Sequence, residues 1–200
     1  MKSLKFFIIL LTIAFVSCTK KTQTTNSRND SVEKYLKLAS IDTLPMETRK
    51  TYNKKAFSFI DLERNDTTVR WYLCETALNF SILKDTLDYK IISKIIYKKA
   101  TDSDDVLSLA RYYRFLGGYF LYDKKKLDSA LYNFNKAEQY YLKTTNEDEL
   151  AIVYFNQGNC NFDFSNYLES ELYLTKALKI YSKKKDYMRS RNVLNSLGNV

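Results

Sequence analysis

Gly118, Gly158 and Gly198 recur at an even period of about 40 residues and make up three of the four glycines in the chain. The same offset pairs Ala130 with Ser170, Ala137 with Ala177, Phe134 with Leu174, Leu131 with Glu171 and Asn146 with Asp186. Small residues fall where small residues fell, and cap formers where cap formers fell, so the second half of the chain reads as a repeat array. A glycine inside a helix costs about 1 kcal/mol against alanine, so its return at a fixed address predicts a packing role. Gly118 and Gly158 are expected in the first helix of each hairpin, leaving room for a second helix that answers with Ala130 and Ser170. Tyr122, Phe134, Phe162, Leu174 and Tyr181 are expected to fill the space between hairpins or face the inner surface, because no single hairpin can bury such a face alone.

One proline and four glycines in 200 residues leave almost no turn chemistry for a many-stranded sheet, so the expected fold is all-α. Upstream of the repeats, Ser31 is expected to cap a helix over 32–40, and Pro45 to open one running to Glu63. Asn65 and Asp66 break that pattern before a helix over 69–82, and Asp85 introduces the next, through Ala100. Residues 31–100 are thus read as a helical cap followed by a degenerate hairpin. Two repeat units follow over 101–145 and 146–185, then the start of a third over 186–200. Leu197, Gly198 and Asn199 repeat the first-helix motif with no second helix after it, so the reading frame is expected to continue past Val200.

The chain contains no histidine, which excludes a Ser-His-Asp triad, a Cys-His pair and any histidine-ligated metal in this segment. Cys18, Cys74 and Cys160 show no Cys-x-x-Cys spacing, and four glycines cannot supply a phosphate-cradling loop. No catalytic residue, metal or cofactor is therefore expected. Cys74 and Cys160 read as small core residues too far apart for a disulfide. The carboxylates at 104, 105, 147 and 148 read as helix-start residues, and the lysine runs 124–126 and 183–185 as solvated positions near helix ends. The formal charge is +9, or +7 without Lys2 and Lys5. With Lys, Asn, Tyr and Ile abundant together, that balance does not single out a nucleic-acid partner.

Residues 1–17 combine a short basic start with an apolar run from Phe6 to Val16. That run is shorter than the roughly 20 residues a membrane span needs, so a secretory signal peptide is expected. Phe15-Val16-Ser17-Cys18 resembles the lipobox of bacterial lipoproteins, which implies cleavage before Cys18 and lipidation of its thiol. Phe15 stands where that motif usually carries Leu, and an ordinary leader is the alternative. Residues 18–30 are polar and without apolar periodicity, and read as a flexible tether. The expected location is the cell envelope, on a membrane-anchored lipoprotein facing the periplasm or cell surface.

The repeats resemble the tetratricopeptide repeat. The first carries Gly118, Leu121, Leu127, Ala130, Phe134 and Ala137, and the second Gly158, Tyr167, Ser170, Leu174 and Ala177. The resemblance covers about residues 105–200 and implies a right-handed α-solenoid of antiparallel hairpins whose first helices line a concave peptide-binding groove. By position, that groove would comprise Tyr112, Phe115, Tyr119 and Tyr122, then Ile152, Phe155, Asn159, Phe162 and Asp163, then Asn192, Asn195 and Asn199. Phe155 and Asn195 occupy the sites where carboxylate-clamp members of the family carry lysine, so an amphipathic peptide or helix is the better-matched ligand. The implied function is a protein or peptide scaffold; the alternative is the sensory region of a longer signal-transduction protein.

Overall fold

The computed structural model describes residues 25–123 and 125–200, and among them every regular element is helical. They form two compact units, one ending at Arg64 and one spanning Asn65–Val200. The first unit is a hairpin of α1 (residues 25–39) and α2 (Met46–Phe59). Tyr35 of α1 stacks on Phe59 at 5.7 Å between ring centroids, and Arg49 Nε donates to the Ala39 carbonyl at 2.8 Å, closing the end of α1. Residues 25–30, expected in the tether, belong to α1. Ser31 is accordingly not a cap but lies inside the helix, where its hydroxyl donates to the Ser27 carbonyl at 2.9 Å. Arg28 also reaches Asp61 at 3.4 Å, a partner beyond the end of α2 that local pattern does not reveal. The second helix ends at Phe59, short of Glu63.

The second unit contains α3 (Thr67–Ile82), α4 (Thr86–Asp102), α5 (Val106–Gly118), a π-helical turn (Tyr119–Asp123), α6 (Leu127–Tyr141), α7 (Glu147–Asp163), α8 (Tyr167–Lys183) and α9 (Tyr187–Leu197). Each helix packs against the next in sequence, and α3 also meets α5. Side chains at Asp66, Asp85, Asp105, Asn146 and Asp186 accept from the backbone N–H three residues on, which fixes five helix starts. The turns are built without glycine. Lys84, Asp104, Lys125, Ser165 and Lys185 each adopt positive φ between 49° and 62°. The following residue then bonds back across the helix end, as Asp85 N–H does to Phe80 O and Asn166 N–H to Asn161 O.

One of these closures differs. Lys126 N–H bonds to Phe120 O, six residues back instead of five, because the π turn has taken in one extra residue. Its consequence appears in the glycines. A Cβ on Gly117 would lie 2.7 Å from two ring carbons of Phe134, and one on Gly158 would lie 2.6 Å from Leu174 Cγ. A Cβ on Gly118 meets nothing within 4 Å, and one on Gly198 meets only carbonyls of its own last turn. The close helix approach expected at Gly118 is therefore made by Gly117, one position earlier than the even spacing of Gly158 and Gly198 requires.

The core runs through Ala110, Ala130, Phe134, Ala137, Ala151, Leu174 and Ala177. Cys74 and Cys160 are free thiols buried within the helices, as their sequence context suggests. Burial pushes both thiols up to about 12, an effect that Arg111 opposes at Cys74. Lys183 and Lys184, read as solvated, reach across to Glu147 and Asp148 at 3.3 and 2.6 Å and join the last turn of α8 to the first turn of α7.

Candidate functional site

Between α3, α5 and α7 lies a recess of about 450 Å³, lined by Leu78, Ser81 and Ile82 on α3, by Lys84 in the turn that follows, by Arg114, Phe115 and Gly118 on α5, and by Asn156 on α7. Gly118 faces this open space, which accounts for the absence of any neighbour at its Cβ position. The Arg114 guanidinium lies 4.3 Å from the centroid of the Phe115 ring and ion-pairs through Nε with Glu149 Oε2 at 2.8 Å. The same carboxylate oxygen accepts from the Tyr141 hydroxyl at 3.2 Å. Burial raises the Tyr141 phenol above its ordinary range, against the pull of Arg114. Burial likewise raises the Glu75 carboxyl, with Arg111 opposing and Glu149 reinforcing the shift. The recess thus sets Leu78 and Ile82, beside the Ser81 hydroxyl, on its α3 side against a cation and a carboxamide on its α5 and α7 sides.

Away from the recess, a buried brace joins the N-terminal ends of α3 and α5. Arg70 Nε meets Asp105 Oδ2 at 2.6 Å, and Arg70 Nη1 donates to the Asn65 carbonyl at 2.6 Å. Burial alone would raise the Asp105 carboxyl, but the Ser108 N–H and hydroxyl together with Arg70 hold it below the usual range.

A second recess, of about 540 Å³, opens between α4, α5 and the π turn. Its floor is the stacked pair Tyr89 and Tyr119, 4.8 Å between centroids. The positions predicted for one groove divide between these two hollows. Phe115 lines the first, and Tyr112 and Tyr119 line the second. Tyr119 is 4% exposed, so it serves as floor. Tyr112 leans on Tyr97 of α4 at 5.1 Å.

Ile152, Phe155 and Asn159 are half-buried along α7, and Phe162 lies edge-on to Tyr167 at 5.8 Å beside exposed Asp163. Asn192 and Asn195 are on α9, and Asn199 lies beyond its end. The side chain of Tyr122 and all of Cys18 lie outside the described residues. Arg114, Asn156 and Gly118 complete the first recess without having been predicted for that role. For Asn156 the available signal was its place on α7 one turn before the expected Asn159.

Among the described residues, no group of three or more His, Cys, Asp or Glu side chains could hold a metal ion, and no helix is long and apolar enough to cross a membrane. No protein-family model matches the chain, and no curated protein matches it either.

Proposed function

We propose that this chain is a tetratricopeptide-type protein, a right-handed solenoid with a period of about 40 residues, that binds a peptide segment of a partner protein in the recess between α3, α5 and α7. The observation that carries the reading is the recess itself. It is bounded by the first helices of three successive hairpins and combines the apolar Leu78, Ile82 and Phe115 with Arg114 and Asn156. An apolar anchor side chain fits the α3 side, and Arg114 and Asn156 give the facing wall polar groups suited to a peptide backbone. We further propose export and attachment to an envelope membrane through lipidated Cys18, on the strength of the leader and its lipobox-like end.

A photo-crosslinking residue placed at Gly118 tests the binding site, with the same residue at the exposed Leu142 as control. Partner adducts are expected at position 118, absent at 142, and weakened by Asn156→Ala. Indistinguishable adducts from the two positions would refute the site. For the anchor, Cys18→Ser is expected to move the protein from the membrane fraction to the soluble one, and an unchanged distribution would refute lipidation.

A further inference from the structure

We infer that the second recess, between α4 and the π turn, binds a single-chain organic anion: an acyl or aryl body ending in a carboxylate, sulfate or phosphate. This is a different site from the one proposed for peptide binding and does not depend on it. The argument begins with α4, where Leu87, Lys90, Ile91 and Lys94 fall at i, i+3, i+4 and i+7 and so share one face. That face remains open, with Leu87 at 70% and Ile91 at 46% exposure. Opposite it, the π turn brings Tyr119 and Phe120 up beside Tyr112 and Leu116. The recess volume of about 540 Å³ lies within the usual size of small-molecule sites, roughly 300–1,000 Å³. Its floor is rigid, since Tyr89 and Tyr119 are stacked and buried.

Charge decides the class of ligand. Lys90, Lys94 and Lys126 line the recess, and among the described residues its lining contains no carboxylate and no carboxamide. Among the described residues none of these three lysines forms an ion pair, whereas Lys98 on the same helix is paired with Asp102 at 2.7 Å. Ammonium groups only donate hydrogen bonds. A peptide backbone laid here would therefore find few acceptors for its N–H groups, while an acceptor-only anionic head would find three donors. The aliphatic and aromatic walls provide for the apolar body, whose burial contributes about 25 cal/mol per Å² removed from water.

The test is a calorimetric titration of the full chain with dodecanoate, repeated with 8-anilinonaphthalene-1-sulfonate as an aromatic anion. Dodecyltrimethylammonium serves as the cation of matched tail. Saturable binding of at least one anion is expected, weakened at least about tenfold in the triple variant Lys90→Ala, Lys94→Ala, Lys126→Ala. The three lysines are exposed, so this variant is expected to fold, and an unchanged circular dichroism spectrum checks that it does. The inference is overturned if neither anion binds, if the cation binds as tightly as dodecanoate, or if the triple variant binds like the parent. It is also overturned if an acidic Glu/Leu peptide competes for these lysines and the small anions do not. The Gly118 crosslinking result is independent of all four outcomes.

Discussion

Alanine placed in turn at the adjacent residues Gly117 and Gly118 is expected to have opposite effects. Both lie in α5 with negative φ, so each substitution gains about 0.5–1 kcal/mol from reduced chain entropy and better helix propensity. At Gly118 nothing opposes that gain, because no atom lies within 4 Å of the new Cβ. At Gly117 the Cβ would sit 2.7 Å from two carbons of the Phe134 ring, against a normal carbon separation of about 3.5–4.0 Å. Phe134 is 0% exposed, so its ring can only move by displacing the core. Such overpacking costs about 1–3 kcal/mol, which leaves a net loss of roughly 0.5–2 kcal/mol. Gly158→Ala belongs with Gly117, and at the severe end. Its Cβ meets Leu174 Cγ at 2.6 Å and the Leu174 backbone N at 3.3 Å, so a change of side-chain rotamer cannot relieve it.

Urea unfolding followed by the helical circular dichroism signal reads these differences as midpoint shifts at constant slope. In thermal unfolding, 1 kcal/mol corresponds to about 2–4 °C for a chain of this size. Midpoints that move in the same direction for Gly117→Ala and Gly118→Ala would refute the helix register, and with it the one-residue insertion at the π turn. A midpoint for Gly118→Ala that falls with that of Gly158→Ala would restore the strict correspondence of those two glycines in its place.

Asp105→Ala removes the cap of α5 and leaves Arg70 buried without its partner, so it is expected to cost about 3–5 kcal/mol; Asp105→Asn, which retains an oxygen for the Ser108 N–H, should cost less in the same urea assay. Ser165→Gly relaxes a φ of 62° and should stabilise by about 1 kcal/mol; a destabilised variant would show that the turn is unstrained. The Glu75 carboxyl is raised on folding, so the folded state holds that proton to higher pH than the unfolded chain, and the stability tied to it is lost as pH rises through the folded value. Glu75→Gln should therefore exceed the parent in stability at pH 7 and converge with it in mild acid, and a variant weaker than the parent at pH 7 would overturn that sign. Cys74 and Cys160, both at about 12, should resist Ellman's reagent at pH 8 in the folded chain and react once urea unfolds it.

Features set by a few neighbouring residues were legible in the sequence. Asp66, Asp85, Asp105, Asn146 and Asp186 mark helix starts because a short side-chain oxygen and the N–H three residues on are the whole of the interaction. The helical state of residues 25–30 was not legible, since the segment has no apolar face and its visible tie, Arg28 to Asp61, reaches past the whole of α2. The positions expected for one groove divide between two recesses. Tyr112, Phe115 and Tyr119 fall at i, i+3 and i+7 along one helix and the turn that continues it, yet α5 is wedged against both α3 and α4. A rotation of less than one turn therefore separates a side chain aimed at the first recess from one aimed at the second.

The π turn explains why the repeat pattern pointed to the wrong glycine. The stretch from Asp105 to Lys126, the cap positions of α5 and α6, is one residue longer than the matching stretch from Asn146 to Asn166. Because Gly117 and Gly118 are adjacent, a one-residue insertion still leaves a glycine at the evenly spaced address, and the slip is silent in a periodic comparison. The mismatch in cap spacing was the signal that could have exposed it. An insertion in a helix that packs on both sides is costly unless the extra residue is accommodated locally, and here a single widened turn absorbs it. That same turn presents Tyr119 and Phe120 to α4 and forms one wall of the lysine-rimmed recess. The departure from the repeat and the opening of the second site are therefore one structural event. Removing one residue from the turn should close that recess and make the spacing from Gly117 to the cap of α6 equal to that from Gly158 to the cap of α8, with Gly117 kept in its packing position against Phe134, while leaving the recess between α3, α5 and α7 with its Arg114 and Asn156 wall.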